Sequence, residues 1–396
     1  MSSLRLQFAA FAGKAAGQLS RTLGRGRGET LTGRVLLALD PHALEKLAVG
    51  RDIVLVSGTN GKTTTTSNLA HILEWGTDEA VSTSRFGANM TSGIAATLSA
   101  KPKHRYVVLE CDEMYLPAMY KTLRPKVVVL LNLSRDQLHR TGEVRKVAKL
   151  WHDAFTRDDV TFIIDRDDPF LEYAVSQAGH VIRVTFGGRK HPDAATCPSC
   201  SQLLDWSAGD YRCSCGLGSA LAQVRADRNL AAAGRNSVLA IEAARLMGAH
   251  ITAEVAKEMV QAAPDRVTTF PVACVHVPKQ LAKNPESWRE ALATIQAPSV
   301  ILSINARGID GRDTSWLWDV DYSNLHGKTV MCTGDRRLDI AYRLHVQGCD
   351  VSVASTFTEA VERLESSHIE AIASYTAFQD LSAAQLGIHQ VSGGKS

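Results

Sequence analysis

The chain has 396 residues, 45% apolar and 21% charged, with a formal net charge of +3. That length exceeds one ordinary core and predicts two or three domains. The near-balanced charge gives no reason to invoke nucleic acid, and no apolar run approaches the roughly 20 residues that span a bilayer.

The first 28 residues hold no acid but carry Arg5, Lys14, Arg21, Arg25 and Arg27. Leu4, Phe8, Phe11 and Ala15 fall at helical spacing, which predicts an amphipathic basic helix of the mature protein rather than a transit peptide. Such a helix grazes an anionic membrane surface only weakly. Residues 53–56 are β-branched and apolar on both faces, as a buried parallel strand should be. They run into Ser57-Gly58-Thr59-Asn60-Gly61-Lys62-Thr63-Thr64. Gly58 and Gly61 let the backbone turn tightly and aim N–H groups at an anion. Lys62 reaches terminal phosphates, the Thr63 hydroxyl ligates Mg²⁺, and a helix opening at Thr64 adds its positive end. Only two residues separate the glycines, where the general phosphate loop has four. The string still reads as an ATP site.

Apolar strands at 106–110, 127–131 and 160–164 then alternate with helical stretches at 116–123 and 144–155. This order implies right-handed βαβ units and a parallel sheet covered by helices, an α/β fold. Ligands in such sheets sit beyond the carboxyl ends of strands. The loop at Gly58, Glu110 and Asn132 are therefore expected to face one crevice. Glu110 can take a second Mg²⁺ position, with Asp112 and Glu113 next along. The charged run Arg135 to Arg140 reads, by itself, as a solvated loop.

Residues 191–219 break the alternation with Pro, Gly, Ser and four cysteines. Cys197, Cys200, Cys213 and Cys215 form two close pairs separated by twelve residues, able to complete a closed, structural Zn²⁺ shell. The alternative is a reduced, metal-free or redox-active pair in a flexible insertion. Cys111, Cys274, Cys332 and Cys349 are scattered in apolar contexts as small buried hydrophobes. Eight cysteines so distributed do not make a secreted disulfide scaffold, and a reducing cytoplasm fits best. A helix at 236–247 ends at Gly248, and Pro264–Asp265 reads as a hinge. A second α/β segment follows, with strands near 300–305, 329–332 and 369–373. Within it, Asp310, Asp313, Asp319 and Asp321 surround Trp316 and Trp318, by themselves a packed aromatic turn with solvated carboxylates.

The loop string, Glu110 and residues 132–140 together resemble the Mur ligases, and within them the MurT branch. The matching stretches are Arg85-Phe-Gly-Ala-Asn-Met90, Leu109-Glu-Cys-Asp-Glu113, Asn132-Leu-Ser-Arg-Asp-Gln-Leu138, Gly234-Arg-Asn236, Lys283-Asn-Pro285, residues 310–319 and Thr333-Gly-Asp-Arg336. The cysteine insertion sits where that branch carries a zinc ribbon. The resemblance implies a helical segment at 1–45 packed on the central domain. It also implies a Mur ligase-like ATP-binding domain at 46–262, with the ribbon at 192–220, and a smaller C-terminal α/β domain at 263–396.

The implied activity uses ATP and Mg²⁺ to amidate the α-carboxylate of D-glutamate in the lipid II or muropeptide stem peptide, through an acyl phosphate. Ammonia comes from glutamine in a separate GatD-like glutaminase, the partner in a heterodimer. The implied place is the cytoplasm at the inner face of the membrane, with no transmembrane segment and peripheral contact through the lipid substrate. Residues 58–64 would hold the phosphates, with Lys62 and Glu110 catalytic and Thr63 and Glu110 on Mg²⁺. Asn236 matches an adenine-contacting asparagine, though alone it could be a helix N-cap. Arg266 and Lys283 match cations brought to ATP, and Arg266 could equally be a surface cation. An aspartate of the last domain, Asp319 first and Asp313 second, would orient the partner's catalytic histidine.

Two departures stand out. His139 and Thr141 replace an acid and a Tyr of the branch, and the second cysteine pair is CxC rather than CxxC. Two rival readings follow from the same residues: a ligase adding an amino acid, and a non-catalytic ATP- and zinc-binding scaffold. A complete Mg²⁺–phosphate site argues against the scaffold. No self-contained glutaminase signature is present in the sequence.

Overall fold

A computed structural model describes residues 4–22, 28–84, 88–136, 143–188, 190–207, 209–261, 267–272, 275–307 and 314–385. Arg85, residues 137–141, Pro264–Arg266, Cys274, Asp310 and Asp313 lie outside the described residues. The chain forms two compact units, one of residues 1–134 with 141–263 and the other of 135–140 with 264–396.

The first unit opens with helices α1 (Leu4–Thr22), α2 (Glu29–Leu39) and α3 (Ala43–Ala48). A parallel seven-stranded sheet follows. Its elements are β1 (Asp52–Ser57), α4 (Lys62–Thr77), β2 (Val81–Thr83), α5 (Thr91–Ala100), β3 (Tyr106–Glu110), α6 (Leu116–Leu123) and β4 (Val127–Leu130). Then come α7 (Val144–Ala154), β5 (Thr161–Asp165), α8 (Pro169–Ala174) and β6 (His180–Thr185). The insertion contributes the antiparallel pair β7 (Asp205–Ser207) and β8 (Asp210–Arg212), after which β9 (Val224–Arg225) rejoins the main sheet beside β6, before α9 (Ala232–Leu246) and α10 (Ala253–Gln261). The strand order is β2-β3-β1-β4-β5-β6-β9, so β1 lies between β3 and β4. Side chains alternate across the sheet. Ile53 and Leu55 enter the core under α1–α3 and α5–α8, while Val54 and Val56 enter the core under α4 and α9. Burial on both faces is why these strands read as unbroken apolar runs.

Helix α4 begins at Lys62 rather than Thr64, because Gly61 at φ 85° and ψ −6° serves as its N-cap. Asn236 is not an N-cap: α9 is capped at Ala231 and Asn236 lies inside the helix.

The second unit has a sheet in the order β10-β11-β15-β12-β13-β14. It runs β10 (Val267–Val272), β11 (Val275–Leu281), α11 (Pro285–Thr294), β12 (Ser299–Ser303), β13 (Thr329–Thr333), α12 (Arg337–Val346), β14 (Val351–Val353), α13 (Phe357–Leu364), β15 (Ile369–Ala373) and α14 (Tyr375–Gln385). Only the β10–β11 pair is antiparallel. Val300 and Leu302 pack under α11 and α12, and Ile301 under α13 and α14.

Candidate functional site

Register brings the chemistry to one end of the first sheet. Val56 pairs with Glu110 and Ser57 with Leu130, so the 58–63 loop, Glu110 and Asn132 leave three adjacent strands on the same side. Asn132 secures the loop: its backbone oxygen accepts from Thr59 N (2.9 Å) and its amide exchanges two hydrogen bonds with the Asn60 backbone (3.0 Å each). The Thr59 hydroxyl bridges Ser134 N and O (3.0 and 3.2 Å). Gly58, at φ +136°, could not carry a side chain, since a Cβ there would lie 2.9 Å from Asn132 O. A Cβ on Gly61 would collide with Asn236 Nδ2. The structure thus sets Asn236, from α9, directly on the loop.

Lys62 Nζ donates to Gly58 O (2.6 Å) and Glu113 Oε1 (3.0 Å), with Thr59 O at 3.4 Å. Both ends of this ion pair are largely buried. The acid on the loop lysine is therefore Glu113, while Glu110 accepts from Asn89 Nδ2 (3.2 Å) and its backbone N–H donates to Ser84 Oγ (3.1 Å). Glu110 is buried and Thr63 is exposed. Trp151 fixes Glu113 from behind by donating to its carbonyl (2.9 Å). The start of α4 leaves N–H groups without intrahelical acceptors. Together with a cation held in place, these suit a polyphosphate. In the sequence Asn89 is marked only as part of the matching stretch 85–90, with no role attached to it.

A second cluster of acids follows β5. Asp168 caps α8 (2.8 Å to Phe170 N) and accepts from Leu133 N (2.9 Å), with His191 Nε2 at 3.6 Å. Asp167 accepts from Phe186 N (2.9 Å) and the Thr185 hydroxyl (3.0 Å). Burial, reinforced by the Asp167 charge, pushes Asp165 up to about 7. Aspartate before Pro169 is a readable N-cap signal.

The four insertion cysteines converge, their sulfurs all within 4.8 Å of one another. Cys197 and Cys215 sulfurs are 3.6 Å apart, and those of Cys200 and Cys213 are 3.3 Å apart. Four thiolates about 2.3 Å from a tetrahedral Zn²⁺ are roughly 3.8 Å apart, whereas a disulfide requires about 2.05 Å. The donor set and spacing fit a tetrahedral metal, CxC pair included. The Cys215 N–H pulls the Cys213 thiol down to about 6, while burial pushes Cys197 up to about 12. A dication would offset the second effect. Arg145 of α7 ties the first knuckle to the unit by donating to Pro198 O (2.9 Å) and Ser199 O (3.2 Å).

In the second unit Lys283 precedes an Asn284–Ser287 capping box at the start of α11, and its Nζ is 2.8 Å from Asp136 Oδ2. Asp319 ends a 3₁₀ turn, Ser315–Asp319, with its carboxylate 3.1 Å from Arg135. Trp316 packs inward on Trp288, whereas Trp318 is half exposed under the Arg343 guanidinium. Asp321 belongs to the local turn instead, accepting from Ser323 N (3.0 Å) and Gln347 Nε2 (2.7 Å). The Ser323 N–H is the first of the contacts that hold its carboxyl below the usual range.

Residues 56–209 match the Mur ligase middle domain, and residues 281–378 match the MurT ligase C-terminal domain. The chain is MurT-like in both its matched domains. It is 27% identical over 384 residues to the lipid II isoglutaminyl synthase (glutamine-hydrolyzing) subunit MurT of Staphylococcus aureus, covering 86% of this chain and 87% of that one. The subunit of the same name from Streptococcus pneumoniae is 29% identical over 420 residues, covering 91% and 93%. In fold, this MurT-like chain is similar to the MurF ligase of Thermotoga maritima solved with ADP. The TM-score is 0.62 at 15% identity, over 90% of this chain and 83% of that one. Among the described residues no helix is long and apolar enough to cross a membrane.

Proposed function

We propose that this chain is the synthetase subunit that amidates the α-carboxylate of D-glutamate in the stem peptide of lipid II, giving D-isoglutamine. The observation that carries the reading is a Lys62 loop at the ends of β3, β1 and β4 in one chain with a MurT-type C-terminal domain. The names of the Staphylococcus and Streptococcus relatives support the substrate, and the ADP in the Thermotoga ligase supports the nucleotide.

A carboxylate is a poor electrophile, so its oxygen first attacks the γ-phosphorus of ATP and ADP departs. Ammonia then attacks the acyl phosphate carbon, the C–O bond to phosphate breaks, and a proton is lost as the amide forms. Transfer of the phosphoryl group needs positioning and charge neutralisation. Lys62, held by Gly58 O and Glu113, is set to exchange those contacts for phosphate oxygens. Mg²⁺, when bound through Thr63 and Glu110, would neutralise further charge. Asn236 would take the adenine side of the loop, and Arg266 and Lys283 are assigned to ATP by resemblance alone. Zn²⁺ at Cys197, Cys200, Cys213 and Cys215 would be structural.

Ammonia would come from a GatD-like glutaminase. The support is Asp319 beside exposed Trp318, with Leu338, Tyr342 and Val346 also exposed along α12. In this reading Asp319 would orient the partner's histidine, and Asp313 is the second choice. The inner face of the membrane is the proposed place of work.

The test is incubation of the purified chain with ATP, Mg²⁺, ammonium and lipid II, read by mass spectrometry. The expected product is lighter by the difference between OH and NH₂. A product heavier by an amino-acid residue, or no product while ATP binds, overturns the reading.

A further inference from the structure

Helix α1 is apolar on two opposite faces, and the larger residues are on the outside. Its buried positions are Leu6, Ala9, Gly13 and Gly17. They dock on α2 so closely that a Cβ on Gly13 would lie 2.6 Å from Thr32 O, and one on Gly17 would lie 2.9 Å from Gly28 O. Helix α2 is pressed just as tightly against α5, where Gly33 meets the Ser92 carbonyl. The helix is therefore fixed to the first unit by its small residues.

Leu4, Phe8, Phe11 and Leu19 are 84%, 65%, 73% and 61% exposed. At about 100° per residue these four and Ala15 share one stripe. A globular helix turns its large apolar side chains toward the core, so this stripe requires another apolar phase. Its rims are basic. Arg5 lies on one side, its Nε anchored on Leu39 O (2.7 Å), and Lys14 and Arg21 lie on the other. Every charged residue of α1 is positive, and the first acid in the chain is Glu29.

From this we infer that α1 is a preformed docking face for an anionic phospholipid bilayer, lying in the interface with Phe8 and Phe11 among the acyl chains. Apolar burial and attraction to anionic headgroups are the two terms that hold such a helix at a membrane. Because the helix is already folded on its unit, binding carries no folding cost. A second copy of the chain fits the face poorly, since two such helices would set basic rim against basic rim. The inference concerns the bilayer itself and holds whichever acceptor the ligase uses.

The experiment is flotation of the full chain with phosphatidylglycerol–phosphatidylcholine vesicles and with phosphatidylcholine vesicles, at low and high salt. The wild type is expected to float with the anionic vesicles and to bind about tenfold less to neutral ones or at high salt. F8S/F11S should lose about tenfold in partition while keeping the wild-type Tm, because both side chains are exposed. R5Q/K14Q/R21Q should reduce anionic binding to the neutral level. As a check needing no loss of binding, an F11W variant should blue-shift its fluorescence on anionic vesicles. The inference is overturned if the wild type stays unbound, or if F8S/F11S floats as well as the wild type. A concentration-dependent dimer abolished by F8S/F11S, with no flotation, overturns it too.

Discussion

Substituting Gly61 by Ala tests the join between the phosphate loop and α9. Gly61 sits at φ +85°, where an L side chain costs about 1–2 kcal/mol. Loss of unfolded-chain freedom returns roughly 0.4–1 kcal/mol. The new methyl would overlap Asn236 Nδ2 and lie 3.3 Å from its Cγ, with Leu131 Cδ1 at 3.6 Å. Asn236 must then swing away, at about 0.5–1.5 kcal/mol if it leaves a rotamer well. Together these give a destabilisation of roughly 0.5–3 kcal/mol, read by urea unfolding of the nucleotide-free chain. A lost charge-assisted hydrogen bond to phosphate is worth about 1.5–3 kcal/mol, so Kd for ATP by calorimetry should rise about ten- to a hundredfold. N236A removes the obstacle but not the φ. The double variant G61A/N236A should be more stable than the sum of the single losses by roughly 0.5–1.5 kcal/mol, the rotamer cost it avoids. Additivity within about 0.3–0.5 kcal/mol, or G61A binding ATP like the wild type, would refute the reasoning.

Zinc should co-purify at about one equivalent, and C213S should lose both the metal and thermal stability, since site and fold form together. Less than about half an equivalent by elemental analysis sinks the metal assignment. D319N should leave ammonia-dependent amidation intact while lowering glutamine hydrolysis in the reconstituted complex by about a thousandfold or more; an unchanged hydrolysis rate rules Asp319 out. Asp165 gives a pH signature. Its carboxyl stands near 7 in the fold against about 3.9 unfolded, so its stabilising share is complete below about pH 4 and drains away as pH rises through about 7. D165N keeps the oxygen that accepts from Asp167 N (2.9 Å) and cannot ionise. It should match the wild type near pH 4 and exceed it by about 1–3 kcal/mol at pH 8. A Tm difference that does not widen between those pH values contradicts the assignment.

What could be read from the sequence follows from which interactions are local. The β1 strand and its loop are legible because burial on both faces leaves an uninterrupted apolar run, and the glycines are confined to their positions by backbone geometry. The cysteine shell is legible because its ligands come in close pairs. The Lys62–Glu113 pair is not, because it depends on β3 lying beside β1 in one register, and Glu110 and Asp112 stand in the same short segment as other acids. The role of Asn89 is hidden for the same reason, since its tie to Glu110 crosses from a loop to a strand. Helix α1 shows the limit of periodicity. The spacing of Leu4, Phe8, Phe11 and Ala15 shows that they share a face and does not say which face is inside. Two features of the chain decide that. Gly13 and Gly17 on the opposite side allow α2 an approach that no larger residue would permit, and α2 itself is held by Gly33 against α5. Small residues therefore win the interior by allowing close backbone packing, and the large apolar residues are left facing outward.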